Sequence, residues 1–346
     1  MSTAPALRVL PVVLKPEPDE RLTSWLGRLA RLYGMPIEAF LECCGLPRCD
    51  VNDLEWRLGG GEGALLAART GMAIDALRAM TFEDIMPYAR LVAARGSRYA
   101  CPLCPACIQR KATAFPWSFW CPEHGVRLTA KGGGRGLEGL SEAQLMMLDL
   151  NVRLGAMRLA NWARGRDERL PSVPQLLDFL TTRYRKSSPP SLAEQPRLSL
   201  QARRANHDFL TRPIARQALL LVVPDYDRVA PVLAKPVRFG LFSLAQGSLL
   251  QNYALAVGVG RLSADPVGYS AAVLLASDRE GEERLRETLR AWPLTSRRRI
   301  YARLRRLRVA PSDALAGIER GRAGQKGGQS HKFRFSQSHN YAPGIS

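Results

Sequence analysis

The chain has 346 residues, with 50 Lys or Arg against 31 Asp or Glu, so its formal net charge at pH 7 is +19. Hydrophobic residues make up 46% of it, enough for ordinary cores, and no apolar run approaches the ~20 residues of a membrane span. The N-terminus lacks the pattern of a secretory signal, so we expect a soluble cytoplasmic protein with seven reduced cysteines and no membrane partner.

The charge surplus lies in the C-terminal third of the chain. Residues 1–100 hold 12 basic and 12 acidic side chains, whereas residues 284–346 hold 15 basic and three acidic ones, a net +12. Nucleic-acid binding depends on Lys and Arg neutralising phosphates. The distribution therefore predicts a nucleic-acid-facing C-terminal part.

Two helix pairs are predicted near the N-terminus. Residues 19–34 have one apolar face, with Asp19 as the expected N-cap and Gly34 as the stop. A second helix follows from Pro36 and ends at Gly45. After a break at the three glycines 59–61, two more helices are predicted at 64–70 and 74–80.

The two pairs resemble a repeated helix-turn-helix pattern. Residues 34–40 align with residues 71–77, and an alanine precedes each turn glycine by four residues. A helix that reads DNA should offer Arg, Lys, Asn or Gln to base edges, but the second helix of the first pair offers Glu38 and Glu42. We therefore expect these helices to dock protein, with Trp25, Arg28 and Glu38 as candidate partner-binding residues, and hold DNA reading as the alternative.

Helices are also expected in the rest of the chain. The predicted ranges are 140–162, 174–184, 278–291 and 296–308, the last with Thr295 as its cap, while residues 218–223 fit either a strand or a buried helix. Residues 186–196 are the best linker candidate, and residues 321–346 read as a disordered tail. The candidate nucleic-acid-binding residues are the basic side chains Arg297, Arg298, Arg299, Arg303, Arg306, Lys326, Lys332 and Arg334.

A cysteine cluster in the middle of the chain predicts a zinc site. Three cysteines occur at 101, 104 and 107, and Cys121 is followed by His124. Two such ligand pairs suit a tetrahedral Zn²⁺. Pro105 follows Cys104 and has no backbone N–H, so a knuckle formed by Cys101 and Cys104 would lose a possible N–H···S hydrogen bond. The preferred ligands are therefore Cys104, Cys107, Cys121 and His124, with Cys101 as the alternative.

Four protein ligands would close the coordination sphere, which favours one structural zinc per chain over a catalytic one. The sequence has no phosphate-binding loop of the Gly-x-x-x-x-Gly-Lys-Ser/Thr type, and no carboxylate cluster or paired nucleophile that would indicate an enzyme. We therefore expect a protein without catalytic activity.

Three motifs in this order resemble the TniQ/TnsD family of transposon target-selection proteins. The first is a proline, then an acidic residue, then Ser24-Trp25 with Arg28 and Ala30, ending at Gly34. The second is Thr70-Gly71 followed by Leu77 and Met80-Thr81. The third is Cys-Pro-x-Cys at 101–104, with Cys-Pro-Glu-His-Gly at 121–125 and Leu128 beyond it. The likeness covers about residues 8–130.

The resemblance implies a non-enzymatic adaptor that links target DNA to transposition partners. It implies recruitment of an AAA+ ATPase of the TniB/TnsC type. It also implies contact with target DNA, either directly or through an RNA-guided Cascade complex, and association with the nucleoid. Whether the chain acts as a monomer or as a homodimer stays open. The competing interpretation is a zinc-stabilised, sequence-specific DNA- or RNA-binding regulator that acts without transposition partners.

The expected fold is mainly α and is divided into five parts. They are an N-terminal helix-turn-helix-like domain at 1–95, a zinc-finger module at 96–136, a helical connector at 137–185, a basic helical domain at 197–318 and a disordered basic tail at 319–346.

Overall fold

A computed structural model describes residues 8–47, 49–130, 137, 140–186, 215–229 and 237–309. Most of these residues are helical, so the prediction of a mainly α fold is confirmed. The predicted tail, most of the linker at 186–196, and the loop at 131–136 lie outside the described residues. The proposed domain boundaries stay a prediction.

Short helices make up the first part of the described chain. They are α1 (Leu22–Leu32), α2 (Ile37–Cys43), α3 (Val51–Trp56), α4 (Gly60–Thr70), α5 (Ile74–Ala79) and α6 (Pro87–Arg90). Strands β1 (Tyr99–Ala100) and β2 (Thr129–Ala130) then form a small antiparallel pair.

The remainder is built mainly on longer helices. These are α7 (Glu142–Ala163), α8 (Val173–Thr181), α9 (Ala218–Val222), α10 (Pro224–Val229), α11 (Phe242–Gln246), α12 (Leu249–Ala264), α13 (Pro266–Ala276), α14 (Arg279–Arg290) and α15 (Leu294–Val309). A second antiparallel pair joins β3 (Arg183–Lys186) to β4 (Ala215–Gln217).

The two predicted N-terminal helix pairs are present. After α1, the amide of Gly34 donates to Arg31 O and that of Met35 donates to Ala30 O, with Gly34 at a φ of +67°. This pair of bonds is a Schellman ending, which favours glycine because the left-handed conformation carries no Cβ penalty there. Gly45 ends α2 with the same pair of bonds.

Several helix starts differ from prediction. Asp19 does not cap α1, which begins at Leu22 after Arg21; Asp19 instead has a φ of +56° and accepts a bond from the Ala112 amide. Helix α4 begins at Gly60, inside the glycine run where the sequence predicts a break. Thr295 lies within α15 and so does not cap it.

Two hydrophobic clusters divide the described residues. The first is made by α1 to α5 and includes Trp25, Leu29, Phe40 and Leu66. The second begins at Phe82 and runs through the β1–β2 region into the helices from α7 onward. The metal module therefore shares its core with the C-terminal helices and not with the N-terminal ones.

Helices α7 and α12 pack against each other in the second cluster at backbone contact. A Cβ added at Gly155 would lie 1.8 Å from Ala256 O, and one added at Gly260 would lie 2.1 Å from Asn151 O. The two backbones thus touch at a glycine on each helix. Within the described residues, no helix is both long and apolar enough to cross a membrane.

Candidate metal centre and basic surface

Three cysteines and a histidine converge on the β1–β2 pair. Cys101 follows β1 directly, and Cys104 lies in the turn after it. Cys121 follows Trp120, and Trp120 forms an isolated antiparallel β-bridge with Arg127, which lies just before β2. A tight turn then brings back His124: the Gly125 amide donates to Cys121 O at 2.9 Å, and Gly125 has a φ of +65°.

The ligand atoms have the spacing of a tetrahedral zinc site. The Cys101, Cys104, Cys121 and His124 atoms all lie within 4.8 Å of one another; we call these residues the Cys₃His group. His124 Nδ1 is 3.6, 3.4 and 3.5 Å from the three sulfurs in chain order, and Cys104 Sγ is 3.7 Å from Cys121 Sγ.

Zinc bond lengths of about 2.3 Å to sulfur and about 2.0 Å to nitrogen predict tetrahedral edges of about 3.8 Å for S···S and about 3.5 Å for S···N. The observed edges agree with these values, so the four residues fit Zn²⁺.

Burial raises the pKa of the Cys104 thiol, and a hydrogen bond from Arg110 opposes that rise.

Cys107, preferred from the sequence, lies outside this group, and the alternative ligand Cys101 takes its place. Cys107 is exposed, and its carbonyl accepts a 3.3 Å bond from Ser24 Oγ. The chain has therefore already left the metal knuckle at Cys107 and runs along the start of α1.

Pro105 does not exclude Cys101 from the knuckle, and the reason is geometric. The amide that reaches the first sulfur belongs to Leu103, which donates to Cys101 Sγ at 3.4 Å. Pro105 comes after the second cysteine and removes no amide that this sulfur uses. A proline at that position is therefore compatible with a Cys101–Cys104 knuckle.

Arg110 ties the metal centre to the N-terminal helices. Its buried guanidinium forms an ion pair with Glu123, inside the Cys121–His124 turn, and donates to Pro18 O just before α1. The same side chain also donates toward Cys104. Arg110 is absent from the residues predicted from sequence, where its only signal is a position close after the cysteines.

The segment from Cys107 to Ala112 pairs with the backbone that precedes α1. Arg21 N donates to Gln109 O at 2.9 Å, and Lys111 N donates to Asp19 O at 2.8 Å. The Asp19 carboxylate accepts from Ala112 N at 2.9 Å, and burial raises the pKa of this carboxyl against the opposing effects of that bond, Lys111 and Arg110. These bonds connect the two hydrophobic clusters.

The three candidate partner-binding residues have different surroundings. Trp25 is completely buried, and its indole N–H donates to Leu14 O at 2.8 Å, so its assignment to a partner surface is corrected to a core role. Arg28 is mostly covered and forms a 2.7 Å ion pair with Glu20. Glu38 is exposed on α2 and remains available to a partner.

Helix α15 presents exposed guanidinium groups on its outer side. The exposed residues from the predicted set are Arg298, Arg299, Arg303 and Arg306, which we call the basic face. Among the described residues, none of their side chains forms an ion pair. Arg299, Arg303 and Arg306 line a groove with Val267 of α13.

Other arginines of this region are engaged with carboxylates. On α14, Arg279, Arg284, Arg286 and Arg290 all pair with glutamates of the same helix. Arg308 pairs with Glu282 at 2.9 Å. The predicted Arg297 is half-buried, while exposed Arg305 belongs to the same helix but is absent from the predicted set.

The predicted residues Lys326, Lys332 and Arg334 lie outside the described part of the chain. The basic surface whose position is described is thus one side of α15. It contains only part of the basic residues that give residues 284–346 their net charge of +12.

Comparison with known proteins finds a family model that matches part of the chain. Residues 11–128 match the family model described as TniQ, and no curated protein and no solved structure matches the chain. The matched range begins before α1, contains the whole Cys₃His group and ends at Leu128, the last residue of the third motif.

Proposed function

We propose that this chain, in which residues 11–128 form a TniQ domain, is a non-enzymatic target-site selection adaptor of a DNA transposon. The domain match carries the proposal, since it implies a transposon-associated target-selection role and a family of adaptors without catalytic activity. The finer assignment is that the chain links target DNA to an AAA+ ATPase of the TniB/TnsC type and, through it, to the transposase.

Zinc has a structural role in this proposal. Cys101, Cys104, Cys121 and His124 would hold one Zn²⁺ and fill its four positions, which leaves no open site for catalysis. Three thiolates around a divalent ion carry a net charge of −1, and the buried Arg110 guanidinium, which also pairs with Glu123, donates a hydrogen bond toward Cys104. The metal would thereby fix the segment that connects the two hydrophobic clusters.

DNA contact belongs to the basic face on α15. Its guanidinium groups are exposed and free of ion pairs within the described structure, in contrast to the paired arginines of α14. Unpaired guanidinium groups can neutralise phosphates without first breaking an internal salt bridge. Such a protein would be cytoplasmic and associated with the nucleoid, and it would reach its target directly or through a guide-RNA Cascade complex.

The DNA-binding role is tested by changing Arg299 and Arg303 to Gln. We expect weaker binding to duplex DNA and a salt dependence whose log–log slope flattens by about 0.9 for each phosphate that is no longer neutralised. The matched control is R279Q/R290Q, which removes the same charge from two arginines that pair with Glu283 and Glu287. Equal slopes for the two variants would place the DNA surface elsewhere.

The adaptor role is tested by recruitment. Labelled duplex DNA is mixed with the chain and the AAA+ ATPase of its own transposon, and the ATPase retained on DNA is measured. Retention that depends on the chain is the expected result. A sequence-specific footprint by the chain alone, with no retention of the ATPase, would favour the regulator that acts without transposition partners.

A further inference from the structure

The exposed arginines of α15 form two stripes with different surroundings. Arg299, Arg303 and Arg306 are separated by four and three residues, so their side chains lie on the same side of the helix. That side borders the groove against α13. Arg298 and Arg305 are seven residues apart and form a second exposed stripe, which is not part of the groove lining. We call the first three residues the arginine row and the other two the outer pair.

The wall of the groove that faces the arginine row carries no charge. It belongs to α13, which has no acidic or basic side chain. Val267 of this helix and Ala302 of α15 give the groove an apolar lining. The Asp265 carboxylate, just before α13, accepts a 2.8 Å bond from the Gly268 amide. Within the part of the chain that the structure describes, the three guanidinium groups share one groove and form no ion pair with a carboxylate.

The charge and length of the arginine row fit a strand of phosphates. Three like charges along one groove repel one another, and a bound polyanion relieves that repulsion. The row extends over seven residue steps, which is about 10 Å along the helix axis. One strand of duplex DNA carries a phosphate for about every 3.4 Å of its axis, so about three consecutive phosphates match the row. A single inorganic phosphate would cover only part of it.

The opposite side of α15 is neutralised by α14. Arg308 and Arg286 both pair with Glu282, at 2.9 and 2.8 Å. Arg286 also lies over the Tyr301 ring, 5.5 Å from its centroid. A helix inserted into the major groove has one phosphate strand on each side, because that groove is only about 12 Å wide. Helix α15 has a row of unpaired guanidinium groups on one side only, which favours a position alongside a single strand.

We propose that the groove between α13 and α15 holds about three consecutive phosphates of one DNA strand, with the sugars against Val267 and Ala302. This inference rests on the DNA contact of the proposed function and deepens it. Helix α15 then runs along the backbone and does not enter the major groove. A contact of this kind positions the protein on DNA without reading its bases. The choice of target therefore comes from another part of the chain or from a partner.

DNA binding by the purified full chain, without the ATPase, tests the groove with two matched double variants. R299Q/R306Q and R298Q/R305Q each remove two charges that are seven residues apart on α15. R299Q/R306Q should weaken duplex binding by about tenfold or more at about 0.15 M salt and flatten the log–log salt slope by about 1.8, since two phosphates are no longer neutralised. R298Q/R305Q should change the slope by less than about half as much.

Independence from base sequence is the second readout. Duplexes of unrelated sequence should all lose affinity by a similar factor in R299Q/R306Q. A single strand should also lose affinity, with its slope flattened by about 1.4. Val267→Glu places a carboxylate in the apolar wall and should weaken binding of every DNA, while a glutamate in the first turn of α13 favours the helix. Circular dichroism of each variant shows that the helices are retained.

A larger loss of affinity in R298Q/R305Q than in R299Q/R306Q would overturn the proposal. A base preference of the wild-type chain that R298Q/R305Q removes would also overturn it, since α15 would then enter the major groove. Equal losses in the two variants would reject the groove and leave the DNA contact on α15 intact. A wild-type chain that does not bind DNA would reject the groove and the DNA contact together. Loss of ATPase retention alone would refute the adaptor role and leave the groove in place.

Discussion

The course of the backbone after Cys104 decides which of the clustered cysteines can bind the metal. The spacing of the cysteines in the sequence does not reveal that course. Cys101 and Cys107 are each three residues from Cys104 and are chemically equivalent candidates in the sequence. In the structure only Cys101 lies with the other ligands. The chain after Cys104 runs beside the start of α1, where it is held by hydrogen bonds between Ser24 and Cys107 and between Arg21 and Gln109. Those bonds join segments that are distant in the chain, which no local spacing rule could reveal.

The first prediction compares serine at these two positions. Cys101→Ser should lose the metal and unfold the central module, since metal binding supplies folding free energy, on the order of 10 kcal/mol in isolated zinc-finger peptides. Cys107→Ser should keep one zinc per chain and a wild-type melting temperature, because that thiol is exposed and outside the group. Zinc content and thermal denaturation measure both; loss of metal in Cys107→Ser alone would contradict the Cys₃His group.

A second prediction follows from Asp19. Burial raises its pKa in the folded state above the usual value of 3.8, so the folded protein binds more protons than the unfolded chain just above that pH. Stability must then fall as pH rises from about 4 through the raised pKa. Asp19→Asn keeps an oxygen for the Ala112 amide, and asparagine tolerates a positive φ, so it should remove this pH dependence.

The measurement for Asp19 is the free energy of unfolding in denaturant at a series of pH values that begins near the ordinary pKa of an aspartate and rises from there. The difference between Asp19→Asn and wild type should grow in favour of the variant as pH rises. A difference that shrinks instead would mean that the bonds and nearby cations stabilise the charged carboxylate more than burial opposes it.

At the scale of elements, periodicity and turn chemistry predicted most of the helices. The glycine-ended pair α1–α2, the long α7 and the charged α14 lie within a few residues of their predicted ranges, because their apolar spacing and end signals are local. Helices α3, α6 and α10 to α13 and the strands β1 to β4 were not predicted. Arg183–Lys186 carries three basic residues and becomes a strand through pairing with Ala215–Gln217, a distant segment.

The third prediction concerns the contact between α7 and α12. Gly155→Ala should destabilise the protein by about 1–3 kcal/mol, because the new methyl group would meet the Ala256 backbone, which cannot move as a side chain can. Gly27→Ala is the control within α1, where a Cβ meets nothing within 4 Å, and it should be neutral or stabilising by up to about 1 kcal/mol. Denaturant unfolding of both variants compares them; equal effects would mean that helix propensity and not backbone contact governs Gly155.

At the scale of the whole molecule, the sequence predicted a neutral N-terminal part and a basic C-terminal part, and the described residues refine where each can act. Ion pairs along α14 engage Arg284 and Arg286 with glutamates of the same helix, while the basic face of α15 keeps its guanidinium groups exposed. In the part of the molecule built on the first hydrophobic cluster, α2 exposes Glu38 and Glu42 one helical turn apart. Charges of opposite sign thus occupy surfaces that belong to different hydrophobic clusters.

The fourth prediction separates these two surfaces. In the double variant E38Q/E42Q, duplex DNA should bind with the wild-type salt slope, since α2 offers no group that neutralises phosphate in either protein. Recruitment of the AAA+ ATPase to DNA should fall, because two anionic side chains of the helix pair that we expect to dock protein are neutralised. R299Q/R303Q is the reciprocal variant, which should weaken DNA binding and leave the chain's direct association with the ATPase intact. A loss of DNA binding in E38Q/E42Q would instead return the helix pair α1–α2 to a DNA-reading role, with α2 as the helix that approaches the duplex.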